Sequence, residues 1–72
     1  MESNEVHPGL MVRVREGYRK REFDGMLGTV KQTFGNPDYV AVDVQLDNGR
    51  LELFWHHQLD KLDEEAIRAY RL

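Results

Sequence analysis

Between Tyr39 and Trp55 the chain runs twice through alternating apolar and polar residues, and the dipeptide Asn48-Gly49 separates the two runs. Val40, Val42, Val44 and Leu46 alternate with Tyr39, Ala41, Asp43 and Gln45, the two-residue period of a strand with one buried face. Asn-Gly between two such runs is the strongest short-range signal for a hairpin, because both residues tolerate the positive φ of a type I′ turn. With Asn48 and Gly49 as the two loop residues, Asp47 faces Arg50, Leu46 faces Leu51, Val44 faces Leu53 and Val42 faces Trp55. This register predicts that Leu51, Leu53 and Trp55 lie on the buried face and that Phe54, opposite Asp43, points outward.

The rest of the chain is punctuated in the same way. Leu10, Val12 and Val14 alternate with Met11, Arg13 and Arg15, which predicts a first strand. Glu16 to Asp24 is nearly all charged apart from Gly17, Tyr18 and Phe23, and reads as a long loop. A second strand opens at Gly25-Met26-Leu27-Gly28-Thr29-Val30 and runs to Phe34, where Gly35-Asn36-Pro37-Asp38 imposes a turn. His56-His57-Gln58 reads as a single 3₁₀ turn before Leu59 and Leu62 return to the core. Asp63 is placed to cap a short helix whose acidic start and basic end suit the helix dipole. The expected core is Leu10, Val12, Val14, Val30, Val40, Val42, Val44, Leu46, Leu51, Leu53, Trp55, Leu59 and Leu62.

Seventy-two residues suffice for one domain with one core, and 40% hydrophobic with 32% charged residues is the composition of a globular chain. The expected organisation is a flexible N-terminal segment over 1–9, an all-β five-stranded barrel over 10–63 and a short C-terminal helix over 64–72. There is no cysteine, so neither disulfides nor thiolate metal sites contribute. No apolar run approaches the ~20 residues that cross a bilayer, and Met1 to Glu5 lack the character of a signal peptide; the chain reads as intracellular, cytoplasmic or nuclear.

The strand order, the long first loop, the tight hairpin and the 3₁₀ turn outline an SH3-like barrel. Within it, Gly9, Val12, Val14, Gly17, Gly25, Gly28 and Val30 resemble the KOW motif of ribosomal and transcription-elongation proteins. The match departs from that motif at Leu10, where an acidic residue is usual, and in the longer gap from Gly17 to Gly25. Tyr39 to Leu62 is similar to Tudor-like and Mib/HERC2-type domains, and to small SH3-like subunits of photosynthetic electron-transfer complexes that dock other proteins. The resemblance implies a barrel and a binding role, without one shared chemistry.

The residues themselves point away from catalysis. The sole serine, Ser3, lies in the N-terminal tail, and no nucleophile elbow or phosphate-binding glycine loop is present. His56 and His57 are adjacent and diverge on an extended chain, so no metal site is expected, and no cofactor is implied. The expected function is docking of a protein or peptide through the long loop and nearby rings, with Tyr18, Arg19, Arg21, Phe23, Tyr39 and Phe54 as partner-binding residues. Tyr18, Phe23 and Tyr39 with Asp38 or Asp24 would cage a methylated cation; equally, Phe23 closes the bottom of the barrel and the tyrosines cover it. A KOW-like nucleic-acid module is the alternative, with Arg13, Arg15, Lys20 and Lys31 touching phosphate. Glu16, Glu22 and Asp24 among these cations, and a net charge of -3, favour a protein partner.

Overall fold

The alternating runs become five antiparallel strands: β1 (Met11–Val14), β2 (Leu27–Asn36), β3 (Tyr39–Leu46), β4 (Leu51–Trp55) and β5 (Leu59–Lys61). A helix, α1 (Glu64–Arg71), follows them, and 3₁₀ turns form at Ser3–Glu5, Arg21–Phe23 and His56–Gln58. The computed structural model describes residues 1–17, 21–36 and 38–71, with positions 64, 66, 70 and 71 described in backbone only. The strands form one sheet in the order β4-β3-β2-β1-β5, so the chain is all-β with a short C-terminal helix. Among the described residues no helix is long and apolar enough to cross a membrane.

β2 joins the two halves of the sheet. Its first residues pair with β1, from Arg13↔Leu27 to Met11↔Thr29, and the strand then runs along β3 as far as Asn36↔Tyr39. Gly28 makes the junction possible. A Cβ there would stand 2.6 Å from a γ-methyl of Val44 and 2.8 Å from the Gln45 carbonyl oxygen, so only glycine lets the strands approach this closely. A register shift between Val30 and Gln32 leaves Lys31 as an extra residue. Such a bulge bends a strand and reverses which parity faces inward. Val30 therefore lies opposite Val44 in the core, whereas Phe34, four residues on, lies opposite Ala41 on the outer surface.

The β3–β4 hairpin departs from the expected register. Gln45 pairs with Leu51, Asp43 with Leu53, Val42 with Phe54 and Ala41 with Trp55. The loop has three residues, Asp47, Asn48 and Gly49, and closes with Gly49 N–H to the Leu46 carbonyl at 2.9 Å and Leu46 N–H to the Arg50 carbonyl at 2.8 Å. Only the glycine takes a left-handed backbone, at φ 90°, and no described residue other than glycine has positive φ. Asn48 contributes through its side chain, whose Oδ1 accepts the Arg50 N–H at 3.0 Å. This is the three-residue alternative to the type I′ loop. The one-residue difference turns every β4 side chain over. Phe54 is 1% exposed, and Leu51, Leu53 and Trp55, expected in the core, face solvent.

The core that results is Val12, Val14, Phe23, Val30, Val42, Val44, Leu46, Phe54 and Leu59. Phe23 enters it from the loop after β1, its ring in an edge-to-face pair with Phe54 at 6.0 Å, and the Arg50 guanidinium lies over the Phe23 ring at 5.5 Å. Leu10 and Val40 pack against this cluster only partly buried, and Leu62 is half-buried. Met1 and Val6, from the N-terminal segment, also pack against it.

The two registers predict opposite rankings. Phe54→Ala should cost about 3–5 kcal/mol in urea-unfolding free energy, whereas Leu53→Ala should stay within about 0.5 kcal/mol of the parent. A larger loss for Leu53→Ala would restore the two-residue loop.

Candidate docking face

On the outer surface of β2, β3 and β4 the register sets side chains in rows across the strands. Phe34, Ala41 and Trp55 form one row, Gln32, Asp43 and Leu53 the next, and Thr29, Gln45 and Leu51 the one beyond. Phe34 and Tyr39 are each 45% exposed, Trp55 44%, Leu53 50% and Leu51 57%. Five large apolar side chains thus share one face of three adjacent strands. Tyr39 is fixed by the preceding turn, where the Asn36 Oδ1 accepts the backbone N–H groups of Asp38 and Tyr39, both at 3.0 Å. Its ring lies 4.5 Å from that of Trp55, inclined at 53°. The pair is a close, tilted contact, neither stacked nor edge-to-face.

The 3₁₀ turn after β4 fixes the far end of this face. The Gln58 Oε1 accepts the Trp55 N–H at 2.9 Å, and the Gln58 side chain is buried in doing so. The Tyr39 hydroxyl and the His57 Nδ1 share a hydrogen bond at 3.3 Å. His56 points inward: its Nδ1–H donates to the Met1 carbonyl at 3.0 Å, and its Nε2 is buried with no hydrogen-bond partner among the described residues. The two imidazoles are 5.8 Å apart and edge-to-face, a relation unsuited to sharing one metal ion. Among the described residues no cluster of three or more His, Asp or Glu is arranged to hold a metal.

The sequence-derived site residues separate. Tyr39 is exposed on the face just described. Phe23 and Phe54 are not available to a partner, each being 1% exposed in the core, so the cage of Tyr18, Phe23 and Tyr39 cannot form with Phe23 as a wall. Arg21 is exposed in the turn Arg21–Phe23, while Tyr18, Arg19 and Lys20 lie outside the described residues. Phe34, Leu51, Leu53 and Trp55 were not among the expected surface residues. The signal for the last three was the tripeptide Asp47-Asn48-Gly49, which suits a three-residue loop as well as Asn-Gly suits a two-residue one.

The cations fare differently. Arg15 Nε donates to Asp60 Oδ1 at 2.7 Å and its Nη1 to the His57 carbonyl at 3.1 Å, and Arg13 reaches the other Asp60 oxygen at 3.8 Å. Arg13, Val14, Arg15, Glu16, Gly25 and Asp60 line an open groove of about 330 Å³. Among its described lining residues, two guanidinium groups are balanced by two carboxylates. Lys31 is exposed at the bulge on β2.

No family model matches the chain, and no curated protein or solved structure matches it significantly.

The Arg15–Asp60 pair is more than one-third exposed on both sides and so contributes little in water. Asp60→Ala should lower the unfolding free energy by about 1 kcal/mol or less, and the loss should shrink in high salt. Urea titrations at two ionic strengths measure both.

Proposed function

We propose that this chain is a non-catalytic interaction module that docks a protein or peptide partner on the outer face of β2, β3 and β4. The observation that carries this reading is the exposure of Phe34, Tyr39, Leu51, Leu53 and Trp55 on one surface. At roughly 100 Å² for each half-exposed ring or leucine, the patch is of order 500 Å², within the range where an exposed apolar surface marks an interaction site. Aromatic anchors of this kind usually carry most of the affinity of a protein interface. The SH3-like resemblance of the sequence supports the same reading, since small barrels of that kind act by docking.

Nucleic-acid binding would need cations free to neutralise phosphate. Arg13 and Arg15 share Asp60, and Arg50 is held by Glu52 at 2.7 Å and by Glu22 at 3.9 Å. The apolar face itself carries Asp43 and is bordered by Asp38, which phosphate would meet as repulsion.

Affinity capture from the source cells, comparing the parent with Phe34→Ser/Leu53→Ser and with Arg13→Ala, tests the proposal. The parent and Arg13→Ala should retain the same protein, the double variant should lose it, and all three should have the same melting temperature within a few degrees. A 20-nucleotide RNA or DNA that binds at physiological salt, equally well to the parent and the double variant, would overturn the reading in favour of the KOW-like one.

A further inference from the structure

We infer that a second copy of this chain pairs with the free edge of β2, antiparallel and across a two-fold axis at Phe34, so that the two sheets join side by side. The inference goes beyond the docking reading and stands without it.

The direction of the β2 backbone follows from the ladder. Leu46 N–H bonds to the Arg50 carbonyl, so Leu46, and with it Val44 and Val42, turns its N–H and C=O toward β4. Their partners on β2, Val30 and Thr33, therefore turn theirs away from β3. Val30 shows this directly: its N–H donates to the Leu10 carbonyl and its own carbonyl accepts the Gly9 N–H, both at 2.8 Å. Thr33 faces the same side with no strand beside it. The chain before β1 bends away there, in a turn closed by Leu10 N–H to the His7 carbonyl at 3.2 Å. Among the described residues nothing pairs with β2 on that side beyond Val30. An open edge of this kind is a template for another strand.

Two features select a second copy as the occupant. The first is charge. Lys31 stands at one end of the free edge and Asp38 just past the other; both are exposed, and among the described residues neither has an ion-pair partner. With Phe34 opposite Phe34 of the second copy, Thr33 lies opposite Gly35 and Lys31 falls one position short of Asp38. Each Lys31 thus meets an Asp38 of the other copy, and the two-fold axis makes this contact twice. The second feature is Phe34 itself, whose exposed ring touches no other ring among the described residues. Paired across the axis, the two Phe34 side chains become direct cross-strand neighbours with Cβ atoms about 5 Å apart, a spacing at which aromatic pairs stabilise a sheet. The outer faces then lie side by side and stay open, with Asp43 uncovered. Because β3 occupies the other edge of β2, the pairing closes on itself and does not extend into a fibre. Edges this short make a small interface, so the association depends on concentration.

Sedimentation equilibrium of the purified chain between about 10 μM and about 1 mM, at physiological salt, tests the pairing. The parent should dimerise within this range. Lys31→Glu or Asp38→Lys alone sets like charges together at both contacts and should weaken the dimer about tenfold, whereas Lys31→Glu with Asp38→Lys should restore it. All three variants should melt with the parent in dilute solution. Amide exchange gives an independent reading: the Thr33 amide should exchange freely in dilute solution and become protected as concentration rises, while the Val30 amide is protected throughout. A parent that stays monomeric across the range, or a double variant that stays as weak as the single ones, would overturn the inference. So would a dimer that Leu53→Ser breaks and the charge reversals leave unchanged, since that pairing is face to face. The docking reading survives each of these outcomes, because it is tested on the monomer's outer face.

Discussion

The conformation of Gly49 governs the surface of this protein. With Gly49 alone in the left-handed region, the hairpin closes around three residues, and Val42 meets Phe54. Had Asn48 shared that conformation, the loop would have closed around two residues and Val42 would have met Trp55. Because side chains alternate strictly, no intermediate exists: either Phe54 is core and Leu51, Leu53 and Trp55 are surface, or the reverse. Phe54 inside, against Phe23, fills the end of the core with two rings edge to face at 6.0 Å. The loop after β1 takes part in the same arrangement, since Arg50, the first residue past the turn, lies over Phe23 and pairs with Glu22. The turn that sets the register and the loop segment that completes the core thus hold each other.

A second change of phase, at Lys31, brings β2 into the same face. Without the extra residue Phe34 would share the parity of Val30 and turn inward. With it, Phe34 is placed opposite Ala41 and in one row with Trp55. Two local backbone features, a turn of three residues and a bulge of one, together assemble a surface that no contiguous stretch of sequence contains. The two features act on different strands, yet both deliver an aromatic ring to the neighbourhood of the same alanine.

How far the sequence revealed this follows from where it encodes phase. The β1 and β3 runs alternate cleanly, and their inward residues Val12, Val14, Val42, Val44 and Leu46 are buried as expected. β4 reads Leu-Glu-Leu-Phe-Trp and is apolar at both parities, so its orientation depended on the loop count, and Asp-Asn-Gly admits two counts. The bulge falls in Lys31-Gln32-Thr33, three polar residues that carry no inward preference, so nothing in their pattern marks a phase change. Phe23 sits in a charged loop where hydrophobic periodicity is silent, and its burial rests on a contact with a distant strand. Of the expected site residues, Tyr39 is at the surface because its turn fixes it locally, whereas Phe54 and Phe23 depend on long-range pairing that sequence patterns do not record.

The position of Asp43 separates this face from an ordinary sticky surface. A small domain that exposes three rings and two leucines on one side invites self-association through that side. Asp43 lies within the patch, where two copies meeting face to face would have to bury it. The carboxylate thereby opposes the commonest unwanted partner, another molecule of the same chain, by the same desolvation cost that it imposes on any apolar or acidic ligand. A ligand that brings a cation meets no such cost, because its charge replaces the lost water. In the proposed docking, selectivity would follow from one residue, and its effect requires that it sit among the rings and not beside them. The register fixed at Gly49 and the bulge at Lys31 are what put the rings around it.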